Sequence, residues 1–147
     1  MNKVMERALN LIARRNYGTE ELKRKLLKKF SKPRLVERTI KRLKELEYLN
    51  DEKFAALWIE YRLNFKPRGR FLIKRELLAK GVDEDLIEKT LQVVYNRNRE
   101  KKELANLFNL RKNRYPSDKK GQRRLVAYLL RRGFLWEDIK ENLESEE

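Results

Sequence analysis

The sequence predicts an all-α protein: a tandem array of three three-helix repeats, elongated and curved rather than spherical. Three observations carry this prediction. Apolar residues recur at i, i+3, i+4 and i+7, and no stretch alternates cleanly with period two. The 5 Gly and 3 Pro, which interrupt helices most strongly, fall between the periodic stretches and not inside them. The pattern then repeats along the chain at intervals of 51 and 52 residues.

Taken in order, the spacing predicts nine helices. The first covers 5–16 and stops before Gly18, and Thr19 is a fitting N-cap for the second, 19–30. Pro33 suits the first position of a helix over 33–47, since its missing N–H has no partner there anyway. Asp51 is the candidate N-cap of 51–64, which ends before Pro67 and Gly69. The fifth helix, 70–80, meets Gly81 as a left-handed cap, and Asp83 opens 83–95. The last three run over 98–113, 118–132 and 136–145, with Pro116 and Gly133 between them.

The internal repeat is in register at polar as well as apolar positions. Leu35-Val36-Glu37-Arg38-Thr39-Ile40 recurs 51 residues later as Leu86-Ile87-Glu88-Lys89-Thr90-Leu91. Leu26-Leu27 recurs as Leu77-Leu78 and again as Leu129-Leu130; Leu22, Ile73 and Leu125 correspond, and Gly81-Val82 matches Gly133-Phe134. Leucines alone recur by chance in helical chains, but a matching threonine and cap glycine do not follow from that. The domains expected are residues 1–50, 51–96 and 97–147, each a unit of three helices around one centre. Units in series contact mainly their neighbours, which favours an extended molecule.

Composition narrows the function. The 147 residues carry 38 Lys plus Arg against 23 Asp plus Glu, a formal +15. Ion-pair networks in a charge-rich surface need both signs, so a surplus this large points to a polyanionic partner. The absence of Cys and His removes disulfides, thiolate chemistry and the commonest general base and metal ligand. The longest apolar runs, Phe54 to Ile59 and Leu125 to Leu130, fall far short of the ~20 residues of a membrane span. The first residues do not read as a signal peptide, so a cytoplasmic location and no membrane partner are expected.

Three basic runs are candidate contact surfaces. The first holds Arg62, Lys66, Arg68, Arg70, Lys74 and Arg75 around the Pro67–Gly69 turn; from Arg62 to Lys80 there are seven bases and one acid. It reads as a phosphate-facing loop before a helix N-terminus, against the competing reading of a solvated connection. Lys74 lies between apolar positions and is suited to snorkelling. The second comprises Lys119, Lys120, Arg123, Arg124, Arg131 and Arg132 on one helix. The third, Lys23 to Lys44, has eleven bases against Glu37 alone, but they scatter around their helices, so solvation explains them equally well. From Glu137 to Glu147 the sign reverses, with six acids and one lysine, an end suited to repelling nucleic acid, to capping a neighbouring basic face or, the reading preferred, to solubility.

Among the aromatic residues, Phe54, Trp58 and Tyr61 stand at i, i+4 and i+7 and are assigned to packing; Phe65, Phe71 and Tyr115, beside basic loops, are candidates for stacking on bases. Enzyme signatures such as GxxxxGK[ST], GxSxG and HExxH are missing. The acids come nearest to clustering at Glu47, Asp51, Glu52 and Glu60, where caps and ion pairs explain most of them. Neither catalysis nor a metal or other cofactor is expected.

The segment Tyr48-Leu49-Asn50-Asp51-Glu52-Lys53-Phe54-Ala55, followed by Tyr61-Arg62, Lys66-Pro67-Arg68-Gly69-Arg70 and Glu76-Leu77-Leu78-Ala79-Lys80-Gly81-Val82, strongly resembles the signature region of the RecX family, bacterial regulators of the RecA recombinase. The resemblance extends to Ala8–Arg15 with Glu21-Leu22, and to Tyr128–Phe134. It implies a helical-repeat monomer that lies in the groove of a RecA filament on single-stranded DNA and restrains ATP hydrolysis, strand exchange and assisted repressor cleavage. Free single-stranded DNA would bind weakly. Two departures stand out: Thr19 where a serine cap is common, and Leu135-Trp136 where a small polar cap is usual, so that this helix start is either displaced or presents Trp136 outward. The alternatives left open are a general nucleic-acid-binding helical repeat without a protein target, and a metal-dependent nuclease.

Overall fold

The computed structural model describes residues 2–146, which form nine α-helices and no strand. They are α1 (Lys3–Arg14), α2 (Thr19–Lys29), α3 (Pro33–Glu45), α4 (Asp51–Asn64), α5 (Arg70–Ala79), α6 (Glu84–Val94), α7 (Arg97–Arg111), α8 (Lys119–Arg131) and α9 (Trp136–Ser145), with a 3₁₀ turn at Lys112–Arg114.

Each consecutive trio encloses its own apolar cluster. Leu22, Leu26, Val36 and Ile40 centre the first, Ile73, Leu77, Ile87 and Leu91 the second, and Leu125, Leu129 and Ile139 the third. The leucine register seen in the sequence is thus a register of core positions. The repeated threonine has a backbone role: the Thr39 hydroxyl donates to the Leu35 carbonyl at 2.8 Å and the Thr90 hydroxyl to that of Leu86 at 2.7 Å, which satisfies two buried hydroxyls. Clusters in series leave more surface than one sphere would. The accessible area is 9907 Å², against ~8,000 Å² for a compact monomer of this mass.

Successive trios meet end to end through their middle helices. Gly81 (φ 83°) and Gly133 (φ 87°) close α5 and α8 in the left-handed region, where a side chain is strained. A Cβ on Gly81 would stand 2.4 Å from Glu20 Cβ at the start of α2, and one on Gly133 2.5 Å from Leu72 Cβ at the start of α5. The carbonyl end of α8 therefore abuts the amide end of α5, and that of α5 the amide end of α2, a favourable sense for helix dipoles. The Gly69 N–H donates to the Arg132 carbonyl at 2.7 Å, and the Arg24 guanidinium to the Ala79 carbonyl at 2.9 Å.

The capping differs from the sequence expectation at two helices. Thr19 is the first residue of α2 rather than its cap; Gly18 holds the cap position and has no side chain to offer. Asp51 does not cap α4, because Asn50 does so by accepting from the Lys53 N–H. Instead the Asp51 carboxylate reaches back to accept from the Thr19 N–H at 2.8 Å. The next junction repeats the device: Gly69 precedes α5, and the Arg70 N–H donates to Glu100 on α7 at 2.8 Å. The third middle helix, α8, is capped by its own Asp118. Pro33 at the start of α3 and Asp83 as the cap of α6 stand where the sequence put them.

Candidate nucleic-acid and protein interface

Charge counting along the chain gave three basic runs; the fold sorts their members by what each already touches. In the first run, Glu76 on α5 holds two of the cations. Arg62 Nε donates to it at 3.1 Å and an Arg68 guanidinium nitrogen at 2.7 Å, while Trp58 Nε1 donates to the same carboxylate at 3.2 Å. Lys74 bridges Glu84 and Glu88 of α6 at 3.0 and 2.6 Å, and the hydrogen bonds it donates to those carboxylates raise its pKa. Arg62 and Arg68 thus share one carboxylate and Lys74 has two, so these three cations are already engaged within the chain. Lys66, at φ 60°, and Arg75 are exposed, and Arg70 is half-buried; among the described residues none of the three is in an ion pair.

The second run keeps its charge available. Lys119, Lys120, Arg123, Arg124 and Arg131 of α8 are exposed, and Arg132 is half-buried. Arg124 lies 5.7 Å from the Tyr115 ring centroid and Arg132 5.3 Å from that of Tyr128, so both keep an aromatic neighbour rather than a carboxylate.

The third run, left between solvation and function in the sequence, contributes a cleft. Arg24, Lys25 and Lys28 of α2, with Ala79 and Lys80 at the end of α5, line a space of about 420 Å³ beside Glu21. Burial by itself would push the Glu21 carboxyl up, but hydrogen bonds from Arg15 and Lys80 hold it below its ordinary value. The one acid of the cleft is therefore spoken for, and the open charge there is positive. The sequence left Arg24, Lys25 and Lys28 between solvation and function and counted Lys80 only at the end of the first run. The signal was in the repeat, whose 51-residue step aligns Arg24 with Arg75, and whose second step brings Lys28 through Ala79 to Arg131.

The aromatic assignment changes too. Phe54 is buried and Trp58 half-buried, as packing requires, but Tyr61 is 50% exposed and Phe65 62% exposed. The four rings form a ladder along α4, with successive centroids 6.4, 5.8 and 5.3 Å apart. Phe71 is exposed beside Arg75, whereas Tyr115 is half-buried.

Acidic residues are engaged structurally. Glu60 pairs with Arg99 at 2.9 Å, and that hydrogen bond holds its carboxyl below its ordinary value. With Asp51 serving α2, the four acids nearest to a cluster in the sequence do not converge; among the described residues no group of three or more acids does. The acidic end is more than a solubilising tail. Asp138 and Glu100 are each only 2% exposed, and both accept from Arg97. Glu141 and Glu146 pair with Lys101 and Lys112, while Glu147 lies outside the described residues. The start of α9 is not displaced: Trp136 is its first residue and is exposed. Among the described residues no helix is long and apolar enough to cross a membrane.

Comparison with known proteins identifies the family. The chain is 37% identical over 141 residues to "Regulatory protein RecX" of Pelodictyon phaeoclathratiforme, covering 92% of this chain and 84% of that protein. The chain belongs to the RecX family. A family model described as RecX, second three-helix domain, matches residues 50–91, which spans α4 to most of α6. The RecX protein of Bacillus subtilis is 29% identical over 99% of this chain, yet this chain spans 55% of that relative's length. In fold, the chain is similar to the crystal structure of RecX from Lactobacillus salivarius, with a TM-score of 0.85 at 24% identity, covering 97% of this chain and 94% of the other. RecX relatives are regulatory proteins by name, and the helical repeat seen here is their fold.

Proposed function

We propose that this protein regulates the RecA recombinase, mainly as an inhibitor, by lying in the groove of the RecA–single-stranded DNA filament and modulating its ATPase, strand-exchange and coprotease activities. It acts in the cytoplasm as a monomer, by binding and without chemistry or a cofactor of its own. Residues 1–50, 51–96 and 97–147 serve as three units that follow a long ligand.

The observation that supports this most directly is that each middle helix carries cations with no ion pair among the described residues: Arg24 and Lys28 on α2, Arg75 on α5, Arg123 and Arg131 on α8, with Arg24 and Arg75 at one station of the repeat and Lys28 and Arg131 at another. Lys66, Arg70, Lys119, Lys120, Arg124 and Arg132 flank these cations, and Arg62, Arg68 and Lys74, held by Glu76, Glu84 and Glu88, complete the proposed contact surface. A polyanion that tracks the middle helices meets positive charge in every repeat.

The test is DNA-dependent ATP hydrolysis by the cognate RecA. The protein should suppress it at ratios well below one per RecA monomer, and a variant with Arg75, Arg123 and Arg131 changed to Glu should lose the effect while keeping its helical content. Hydrolysis that is unchanged by the parent protein refutes the proposal. The second reading, a general nucleic-acid binder, draws on the +15 charge alone; it requires DNA binding of similar strength with RecA left untouched.

A further inference from the structure

The cationic cleft has an aromatic neighbour. Arg15 and Asn16, from the turn before α2, face Leu57, Trp58 and Tyr61 of α4 across a groove of about 370 Å³. Groove and cleft share no lining residue, but their linings touch. Lys80 Nζ lies 4.6 Å from the Trp58 ring centroid and 2.7 Å from Glu21, which in turn accepts from Arg15 at 3.1 Å. On the cleft side of these contacts stand Arg24, Lys25 and Lys28, which have no ion pair among the described residues; on the groove side stand the rings.

We infer that the α4 groove receives unpaired bases of a single-stranded nucleic acid whose phosphates lie in the adjoining cationic cleft, with Tyr61 of the groove and Phe65, the next ring beyond it, as the stacking surface. The inference rests on the reading that the cations meet nucleic acid, and adds the part that reads strandedness. Tyr61 and Phe65 together expose more aromatic surface than folding requires, at a ring spacing of 5.3 Å. The ladder beneath them is fixed: Glu76 accepts from Trp58 Nε1, and Arg62 lies 4.8 Å from the Trp58 centroid. A surface that is already ordered loses little freedom when a base stacks on it.

Charge placement favours a nucleic acid over an acidic peptide. Of the cations that border the groove, Arg15 and Lys80 share Glu21, and Arg62 shares Glu76 with Arg68, so their charge is half compensated. The cleft next door carries more: among the described residues Arg24, Lys25 and Lys28 have no ion pair at all. Negative charge set apart from flat, neutral rings is the layout of a single strand, in which phosphates and bases point different ways. A duplex keeps its bases inside and can use only the cleft.

The experiment compares oligo(dT) with an abasic oligonucleotide of equal length, which carries the same phosphates and no bases, by fluorescence anisotropy with the full chain. The parent should bind oligo(dT) on the order of tenfold or more tightly than the abasic strand. In Tyr61→Ala/Phe65→Ala the oligo(dT) affinity should fall to the abasic level, with the abasic affinity unchanged and the melting temperature within a few degrees of the parent. An independent readout uses Trp136→Phe, which leaves Trp58 as the sole indole: its emission should be quenched by oligo(dT) and not by the abasic strand. Equal parental affinity for the two strands, or a double variant that keeps the preference, overturns the inference. So does a double variant that binds both strands like the parent but no longer suppresses RecA's ATPase, since the groove then docks protein. Should the parent prefer oligo(dT) through these rings yet leave RecA's ATPase unchanged, the regulator reading falls and this one stands.

Discussion

Gly69→Ala isolates the junction between the second and third repeats. At φ −71° and ψ 161° the backbone there suits alanine as well as glycine, so any cost is steric. An added Cβ would stand 2.1 Å from the Gly133 carbonyl oxygen and 2.7 Å from the Phe134 nitrogen, both backbone atoms that cannot rotate away. Restoring even a 3.0 Å contact opens the junction by about 0.9 Å. The Gly69 N–H bond to the Arg132 carbonyl, now 2.7 Å, would then stretch beyond hydrogen-bonding range. Overpacking strain of about 1–3 kcal/mol together with a lost hydrogen bond of about 1 kcal/mol gives a destabilisation of about 2–4 kcal/mol. For a chain of this length that lowers Tm by roughly 5–15 °C. Gly18→Ala is the matched control, at the same station of the first repeat and with φ −74°. Its Cβ would meet the Phe54 ring at 3.1 Å, and a ring can tilt, so about 1 kcal/mol or less is expected. Calorimetric melting of both variants decides the matter. If Gly69→Ala melts within about 2 °C of Gly18→Ala, the junction is soft and the end-to-end contact is not a structural constraint.

Two further outcomes follow from charge. Because the Glu21 carboxyl is held below its ordinary value by Arg15 and Lys80 despite burial, its contribution is complete above the unfolded value of about 4.3 and is lost as pH falls through the lower folded value. The Tm difference between the parent and Glu21→Gln should therefore be constant from neutrality to about pH 5 and shrink below about pH 4; a difference that grows on acidification contradicts the assigned pairing. Binding of free single-stranded DNA should weaken with salt at a log–log slope of about −2 to −3.5, which corresponds to three to five phosphates at roughly −0.7 each; a slope near zero in a titration of anisotropy against salt would assign the +15 charge to solubility.

Periodicity made the helices legible, because apolar spacing and helix interrupters both act within a few residues of sequence. The repeat was legible for the same reason, as Leu22, Ile73 and Leu125 occupy one core position three times. Pairing was not. Glu76 appeared as a single acid among seven bases, yet one carboxylate binds two guanidinium groups, and Lys74 finds Glu84 and Glu88 only once the Gly81 turn folds α6 back. Adjacent residues also traded roles: Asn50 took the cap expected of Asp51 and freed that carboxylate for a partner 32 residues away. The i, i+7 step that placed Tyr61 with Phe54 ignored how narrow the buried arc of α4 is, and Tyr61 lies on its rim.

The borrowed caps give the chain a direction in time. α2 receives a carboxylate that is synthesised 32 residues after the amide it serves, and α5 one that is synthesised 30 residues later. At roughly 5–20 residues per second, each of these helix starts leaves the ribosome with an unmet donor for about 2–6 s. The first repeat is finished by the second and the second by the third, whereas α8 brings Asp118 with it and waits for nothing. Completion therefore passes along the nascent chain in the order of translation, and a ribosome that pauses between Thr19 and Asp51 holds a first repeat whose middle helix still frays.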